Sequence, residues 1–139
     1  MRKGFSLLEM LVVVIIMGLL VALVAPRIIG EVGKATVKTT KAQIELLSGG
    51  VSRFYLDVKR YPTQEEGLRV LLEKPAEASA AERWAGPYLE KDEIPKDGWG
   101  REFTYEIRSE DGAFVIRSLG ADGRPGGEGE NADLDNRSI

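Results

Sequence analysis

The sequence predicts an α+β fold in which one long N-terminal helix serves as a spine for a small C-terminal antiparallel β-sheet. Three observations predict it. An apolar run extends from Phe5 to Ala25, an apolar stripe at helical spacing follows from Val37 to Val58, and two short alternating segments near residues 102–119 are joined by a turn. The chain has 139 residues, enough for one domain of ordinary size. Its formal net charge is −3 and its basic residues are scattered, which leaves no electrostatic footprint for nucleic acid. Cysteine is absent, excluding a disulfide scaffold, a thiolate nucleophile and a thiolate zinc site. Histidine is absent too, and with it the commonest general base and metal ligand, so the chain is not expected to be an enzyme.

The first element, "FSLLEMLVVVIIMGLLVALVA", contains only Ser6 and Glu9 as polar side chains. Twenty-one residues at about 1.5 Å each give roughly 31 Å, the thickness of a bilayer's hydrocarbon core. Arg2 and Lys3 precede it, so the positive-inside bias leaves the N-terminus in the cytoplasm and the chain after Arg27 outside. A plain anchor has no need of Glu9, because a carboxylate within lipid costs up to about 3 kcal/mol. A cleaved secretory signal ending at "ALVA" fits no better, since Pro26 would follow the cut directly. A cut after Gly4 supplies a partner. Phe5 would become the first residue, and its α-ammonium lies four residues from Glu9 on the same helical face; a neighbouring subunit could provide the same amine. Pro26 removes one backbone hydrogen bond and crowds the carbonyl of Ala22, so a kink helped by Gly18 is expected.

Beyond Pro26, Val37, Ile44, Leu47, Val51, Phe54 and Val58 make a single stripe, and the helix is expected to run from Phe5 to about Val58. Gly49 and Gly50 in its interior imply a close approach to that backbone. Tyr61-Pro62 closes it. Thr63 and Glu66 have capping-box spacing, which predicts a short helix over 64–73 with Leu68, Leu71 and Leu72 buried. A loop follows, pinned by Trp84, Tyr88 and Trp99. Phe103, Tyr105 and Ile107 then alternate, Phe114 and Ile116 share one face, and "SEDG" lies between them, which is a β-hairpin. A lone hairpin is marginal in water, and the helical stripe is what covers it.

The tail "SLGADGRPGGEGENADLDN" combines glycines with acids. Taken alone it reads as a solvated tail or as a calcium loop, because Ca²⁺ takes six to eight oxygens and glycine lets carbonyls turn inward. The EF-hand pattern is absent, and the acids disfavour a phosphate cradle.

The basic leader, Gly4, Phe5, Glu9 and the apolar run occur in the order of the class III signal of type IV pilins and pseudopilins, which the segment resembles. "RYPTQEEGL", "GPYL", "DGWG" and "SLGADGRPGGEGENADL" extend the resemblance to the major pseudopilins of type II secretion systems over nearly the whole chain. The resemblance implies a type IV pilin-like fold divided into a leader (1–4), a transmembrane and filament-core helix (5–25) and a periplasmic globular domain (26–139). It further implies that a prepilin peptidase cuts between Gly4 and Phe5, that Phe5 is N-methylated, and that Glu9 guides assembly into a homopolymer, the periplasmic pseudopilus. The implied protein is a single-pass bacterial inner-membrane precursor with its C-terminal domain in the periplasm. Its implied partners are minor pseudopilins and the inner-membrane assembly platform. Calcium is the implied cofactor, held by the Leu119 carbonyl and the side chains of Asp122, Asn131 and Asp133.

Three departures accompany it. Asn131 stands where the family has an acid, and Gly98 where it has proline, which predicts a less rigid loop before the hairpin. The terminal tryptophan often seen there is missing. Leader removal leaves 17 basic side chains against 22 acidic ones, a charge of −5. Two alternatives share parts of this pattern: a type IV pilus major pilin, which commonly has a terminal disulfide that this chain cannot form, and a singly anchored periplasmic binding domain or enzyme.

Overall fold

The structure, a computed structural model, describes residues 4–139; Arg2 and Lys3 of the expected leader lie outside the described residues. The chain falls into two compact units, Met1–Ala35 and Thr36–Ile139. The elements follow in the order α1 (Leu7–Val58), a 3-10 helix (Gly67–Leu71), α2 (Ala78–Arg83), β1 (Thr104–Ile107), β2 (Phe114–Ser118), a second 3-10 turn (Gly129–Asn131) and β3 (Leu134–Asp135). α1 continues through Pro26 as one helix.

In the second unit the predicted stripe is the core. Ile44, Leu47, Val51 and Phe54 are fully buried and Val58 nearly so, at spacings of three and four residues that keep them on one face. Against them pack Leu68, Leu71, Tyr88, Leu89, Phe103, Tyr105, Ile116 and Leu134, drawn from every later part of the chain. Of the paired glycines only Gly50 is approached: a Cβ there would lie 3.2 Å from Leu71 Cδ1, while Gly49 has nothing within 4 Å. α1 ends where Lys59 turns left-handed at φ 66°, its N–H still bonded to the Tyr55 carbonyl.

Next, Arg60 places its two terminal nitrogens on the two oxygens of Glu66, each at 2.7 Å, and reaches Glu77 at 3.0 Å. Those bonds hold the Glu66 carboxyl below the ordinary carboxylate range. Glu66 also closes the predicted capping box. Its Oε2 accepts from Thr63 N at 2.8 Å, and its own N–H donates to Thr63 Oγ1 at 3.2 Å. The short helix expected over 64–73 is present as a 3-10 turn over Gly67–Leu71, shorter than expected. The reason is local: Gly67 sits at φ +54°, outside α geometry, so the chain leaves the cap in a tighter turn.

The hairpin has the predicted facing, with Tyr105 opposite Ile116 and Ile107 opposite Phe114. Two side-chain amides complete its edges. Gln64 donates to the Tyr105 carbonyl (2.7 Å) and accepts from Ile107 N (3.2 Å), and Asn136 accepts from Ile116 N (3.0 Å) while donating to the Phe114 carbonyl (3.3 Å). The tail supplies an unpredicted third strand, β3, antiparallel to β2 with Leu134 opposite Ser118. It is not a solvated extension.

Trp84 and Tyr88 pin the long loop as expected. Trp84 donates to the Val70 carbonyl at 2.7 Å, and Tyr88 donates to Asp57 at 2.9 Å. At Gly98, where a less rigid loop is expected, the chain packs closely on α1. A Cβ there would stand 2.5 Å from Thr36 Cγ2 and 2.7 Å from the Thr36 carbonyl, and Gly98 N–H donates to Thr40 Oγ1 at 2.9 Å. Glycine closes this joint because no side chain fits against α1.

Candidate functional site

Two segments carry the predicted site residues, one in each unit. In the first, Gly4 and Phe5 precede α1 and are exposed, with Phe5 79% accessible. From Phe5 to Val32 the large apolar side chains are between 45% and 91% exposed. Burial of that much aliphatic surface is the usual driving force of folding, and here α1 leaves it unspent. Among the described residues, α1 is the one helix long and apolar enough to cross a membrane. Gly18 has nothing within 4 Å of a would-be Cβ, which leaves the helix surface open for close packing there.

Glu9 has a local partner that the sequence reading missed. Its Oε2 accepts from Ser6 N at 2.9 Å, and its N–H donates to Ser6 Oγ at 3.2 Å, a reciprocal capping box at the start of α1. The signal was present: Ser6 and Glu9 have the same S/T-x-x-E spacing that identified Thr63 and Glu66. The carboxylate therefore satisfies an orphan N–H at the helix start, where negative charge is also favoured by the helix dipole.

In the second unit, residues 118–123 and 128–133 are brought together. Ala121 N donates to the Glu130 carbonyl at 2.8 Å. Gly120 adopts φ +65°, and a Cβ on it would meet the Asn131 carbonyl carbon and oxygen at 2.7 Å, so glycine is required both by conformation and by space. Asn131 ends a short 3-10 turn whose N–H groups bond back to Glu128 and Gly129. Asp122 is exposed, its Oδ1 accepting from Arg124 N at 3.0 Å. Asp133 is half-buried, and its Oδ1 is fully buried without a hydrogen-bond partner. The Ala121–Glu130 bond joins the two halves of the loop, but among the described residues no group of three or more acids lies close enough to hold a metal ion.

Two residues of this region went unpredicted. Asp97 is 5% exposed and accepts three hydrogen bonds: Trp99 N (3.0 Å) and Arg101 N (2.8 Å) on Oδ1, and Ser118 Oγ (2.7 Å) on Oδ2. Arg101 in turn donates to the carbonyls of Gly120 at 2.6 Å and Ala121 at 2.8 Å. Asp97 followed by glycine carried a turn signal, since an Asp side chain accepts readily from the N–H two residues on. Nothing in the local sequence marks Arg101, whose partners lie 19 and 20 residues away.

Comparison with known proteins places both segments. Residues 1–25 match the prokaryotic N-terminal methylation motif, and residues 27–137 match the family described as type II secretion system (T2SS), protein G. The type II secretion system core protein G of Vibrio cholerae is 38% identical over 141 aligned positions, covering 100% of this chain and 95% of the relative. The Pseudomonas aeruginosa protein of the same description is 36% identical, covering 97% and 94%. The crystal structure of the major pseudopilin from the type 2 secretion system of enterohaemorrhagic Escherichia coli superposes with a TM-score of 0.63 at 29% identity, covering 80% of this chain and 94% of that one. An exposed apolar helix start with a methylation motif, followed by this helix-and-sheet unit, therefore has one home: the chain belongs to the type II secretion system protein G family, the major pseudopilins.

Proposed function

We propose that the protein is a membrane-anchored precursor whose leader is removed between Gly4 and Phe5 by a prepilin peptidase. Phe5 is then N-methylated, and the mature subunits polymerise into a periplasmic pseudopilus. The membrane is the bacterial inner membrane, crossed once. The observation that carries this reading is the unburied apolar surface between Phe5 and Val32 coupled to the methylation motif over residues 1–25. Before assembly lipid covers that surface, and afterwards the same helices of neighbouring copies do. Glu9 is the assembly residue, exchanging its cap on Ser6 for the α-amine of an adjacent subunit. Minor pseudopilins and an inner-membrane platform are the remaining partners. Mass spectrometry of the protein extracted from its native membrane tests the processing step: the expected N-terminal residue is methylated phenylalanine. A chain still beginning at Met1 overturns it.

The second part of the reading is that the tail loop holds calcium through the Leu119 carbonyl and the side chains of Asp122, Asn131 and Asp133. The donor set is all oxygen, which suits a hard cation, and the buried Asp133 Oδ1 lacks any protein partner. Asn131 contributes an oxygen but no charge. Calcium supplies structural charge neutralisation here, tying the start of the loop to its end beside β3. At calcium concentrations near a hundred times Kd, the stabilisation is about 2.7 kcal/mol. Chelation of the full chain in detergent micelles should then lower Tm by roughly 10 °C or more. Asp122→Ala should remove the response to chelator, and an unchanged wild-type melting curve overturns the calcium assignment while leaving the filament reading intact.

A further inference from the structure

We propose that Arg101 is the positioning residue of the tail loop: its guanidinium folds the turn at Gly120–Gly123 before any metal arrives, and so sets how tightly calcium is held. The second half of that statement rests on the calcium reading above; the first half does not.

The geometry is that of a clamp. Nη1 and Nη2 of one planar fork donate to successive carbonyls, Gly120 at 2.6 Å and Ala121 at 2.8 Å. Both bonds are charge-assisted, and the fork fixes the two carbonyls relative to one another in a way that a single ammonium does not. The guanidinium also packs against the loop backbone, since a Cβ on Gly123 would lie 2.9 Å from Nε and 3.0 Å from Cζ. The clamp is itself anchored. Arg101 N donates to Asp97 Oδ1 and Asp97 N donates to the Arg101 carbonyl, each at 2.8 Å, while Asp97 Oδ2 holds Ser118 at the end of β2. Arg101 is therefore held on the same buried carboxylate that holds the strand from which the loop departs.

The consequence is a division of labour. In the first half of the loop, carbonyl dipoles that would otherwise need an external cation already face a protein cation. In the second half, the described backbone bonds run from Asn131 N to the Glu128 carbonyl, from Ala132 N to Gly129 and from Ala121 N to Glu130, and Asp133 Oδ1 is left without a partner. On the calcium reading, the group left for the metal to satisfy is Asp133 Oδ1, while the Gly120 and Ala121 carbonyls already have their cation. Pre-folding half a site raises apparent affinity by the inverse of the fraction already competent, against a smaller, screened repulsion between guanidinium and calcium.

The test uses the full-length protein in detergent micelles, with Arg101→Gln and Arg101→Lys. In EDTA, amide hydrogen exchange across residues 119–124 should be at least tenfold faster in both variants, while the Ile44–Phe54 amides keep wild-type protection and report an intact core. Calcium chloride titration by calorimetry should give a Kd about tenfold higher for Arg101→Lys, which keeps the charge but loses the fork. Arg101→Gln should weaken binding less, since it also removes the repulsion. Wild-type exchange rates in both variants overturn the clamp. A wild-type protein that exchanges as predicted but takes up no calcium supports the clamp and overturns the calcium reading alone. Lysine keeps charge and most of the side-chain volume, so it decides the question if glutamine loosens the core.

Discussion

Replacing Glu9 with alanine is expected to reduce fibre yield at least tenfold while leaving the protein in the membrane. The proposal gives this carboxylate an assembly role on top of its observed one. Locally it caps α1 through Ser6, and loss of a cap costs about 1 kcal/mol. That cost is small beside the transfer of the long apolar surface between Phe5 and Val32 into lipid, so insertion survives. Assembly is different. A carboxylate placed among apolar helices is costly unless a cation neutralises it, and the cation proposed above is the new α-amine of a neighbouring Phe5. Glu9→Gln separates the roles. Its side-chain carbonyl still accepts from Ser6 N, preserving the helix start, but it has no charge to pair. Fibres counted by electron microscopy from cells overproducing each variant should therefore be lost with glutamine nearly as fully as with alanine. Wild-type yield from Glu9→Gln would reduce Glu9 to a helix cap.

That dual role also marks the limit of what the sequence disclosed. The stripe Ile44-Leu47-Val51-Phe54-Val58 and the alternation around Tyr105 and Ile116 were legible because each follows from a fixed backbone period, 3.6 or 2 residues. The cap at Thr63 and Glu66 was legible because both partners lie within one turn. The cap at Ser6 and Glu9 has identical spacing, but it sits inside an apolar run where the cost of a charge is the stronger signal. Gly67 was read as part of a helix, yet its positive φ is what shortened that helix to a 3-10 turn. β3, the Gly98 joint and the Arg101 clamp were not legible, and for one reason. Each depends on partners 16 to 62 residues away along the chain, where no periodicity or local propensity constrains the match. The candidate ligands Asp122, Asn131 and Asp133 came from resemblance, while the residues that shape their loop came only from the fold.

Asp97→Ala should be strongly destabilising for a polar substitution in the second unit, at about 3–5 kcal/mol. The side chain is buried and accepts from two backbone N–H groups and one hydroxyl, belonging to Trp99, Arg101 and Ser118. Truncation strands all three donors, and each unsatisfied buried donor costs roughly 1–3 kcal/mol, partly relieved where water enters. For a unit of this size the loss corresponds to a Tm about 15 °C lower or more, read by circular dichroism of the full chain in detergent. Asp97→Asn provides the graded comparison. One amide oxygen still serves the Trp99 and Arg101 N–H groups, and only the bond at Ser118 must be rebuilt, so the cost should stay near 1–2 kcal/mol. The ordering Ala well below Asn, and Asn modestly below wild type, is what a hydrogen-bond hub requires; equal losses would indicate that charge at this position matters and the bonds do not. The same carboxylate fixes the backbone of Arg101, and Gly98 beside it is bonded to Thr40 on α1. Asp97→Ala should therefore loosen the tail loop in the presence of calcium as well as in its absence. On the calcium proposal, Asp122→Ala loses in EDTA only its exposed bond to Arg124 N, so most of its deficit should vanish there while that of Asp97→Ala persists. Hairpin and tail loop converge on one buried acid whose neighbour Gly98 is bonded to the spine, and the chelator distinguishes this scaffold from the ion it is proposed to hold.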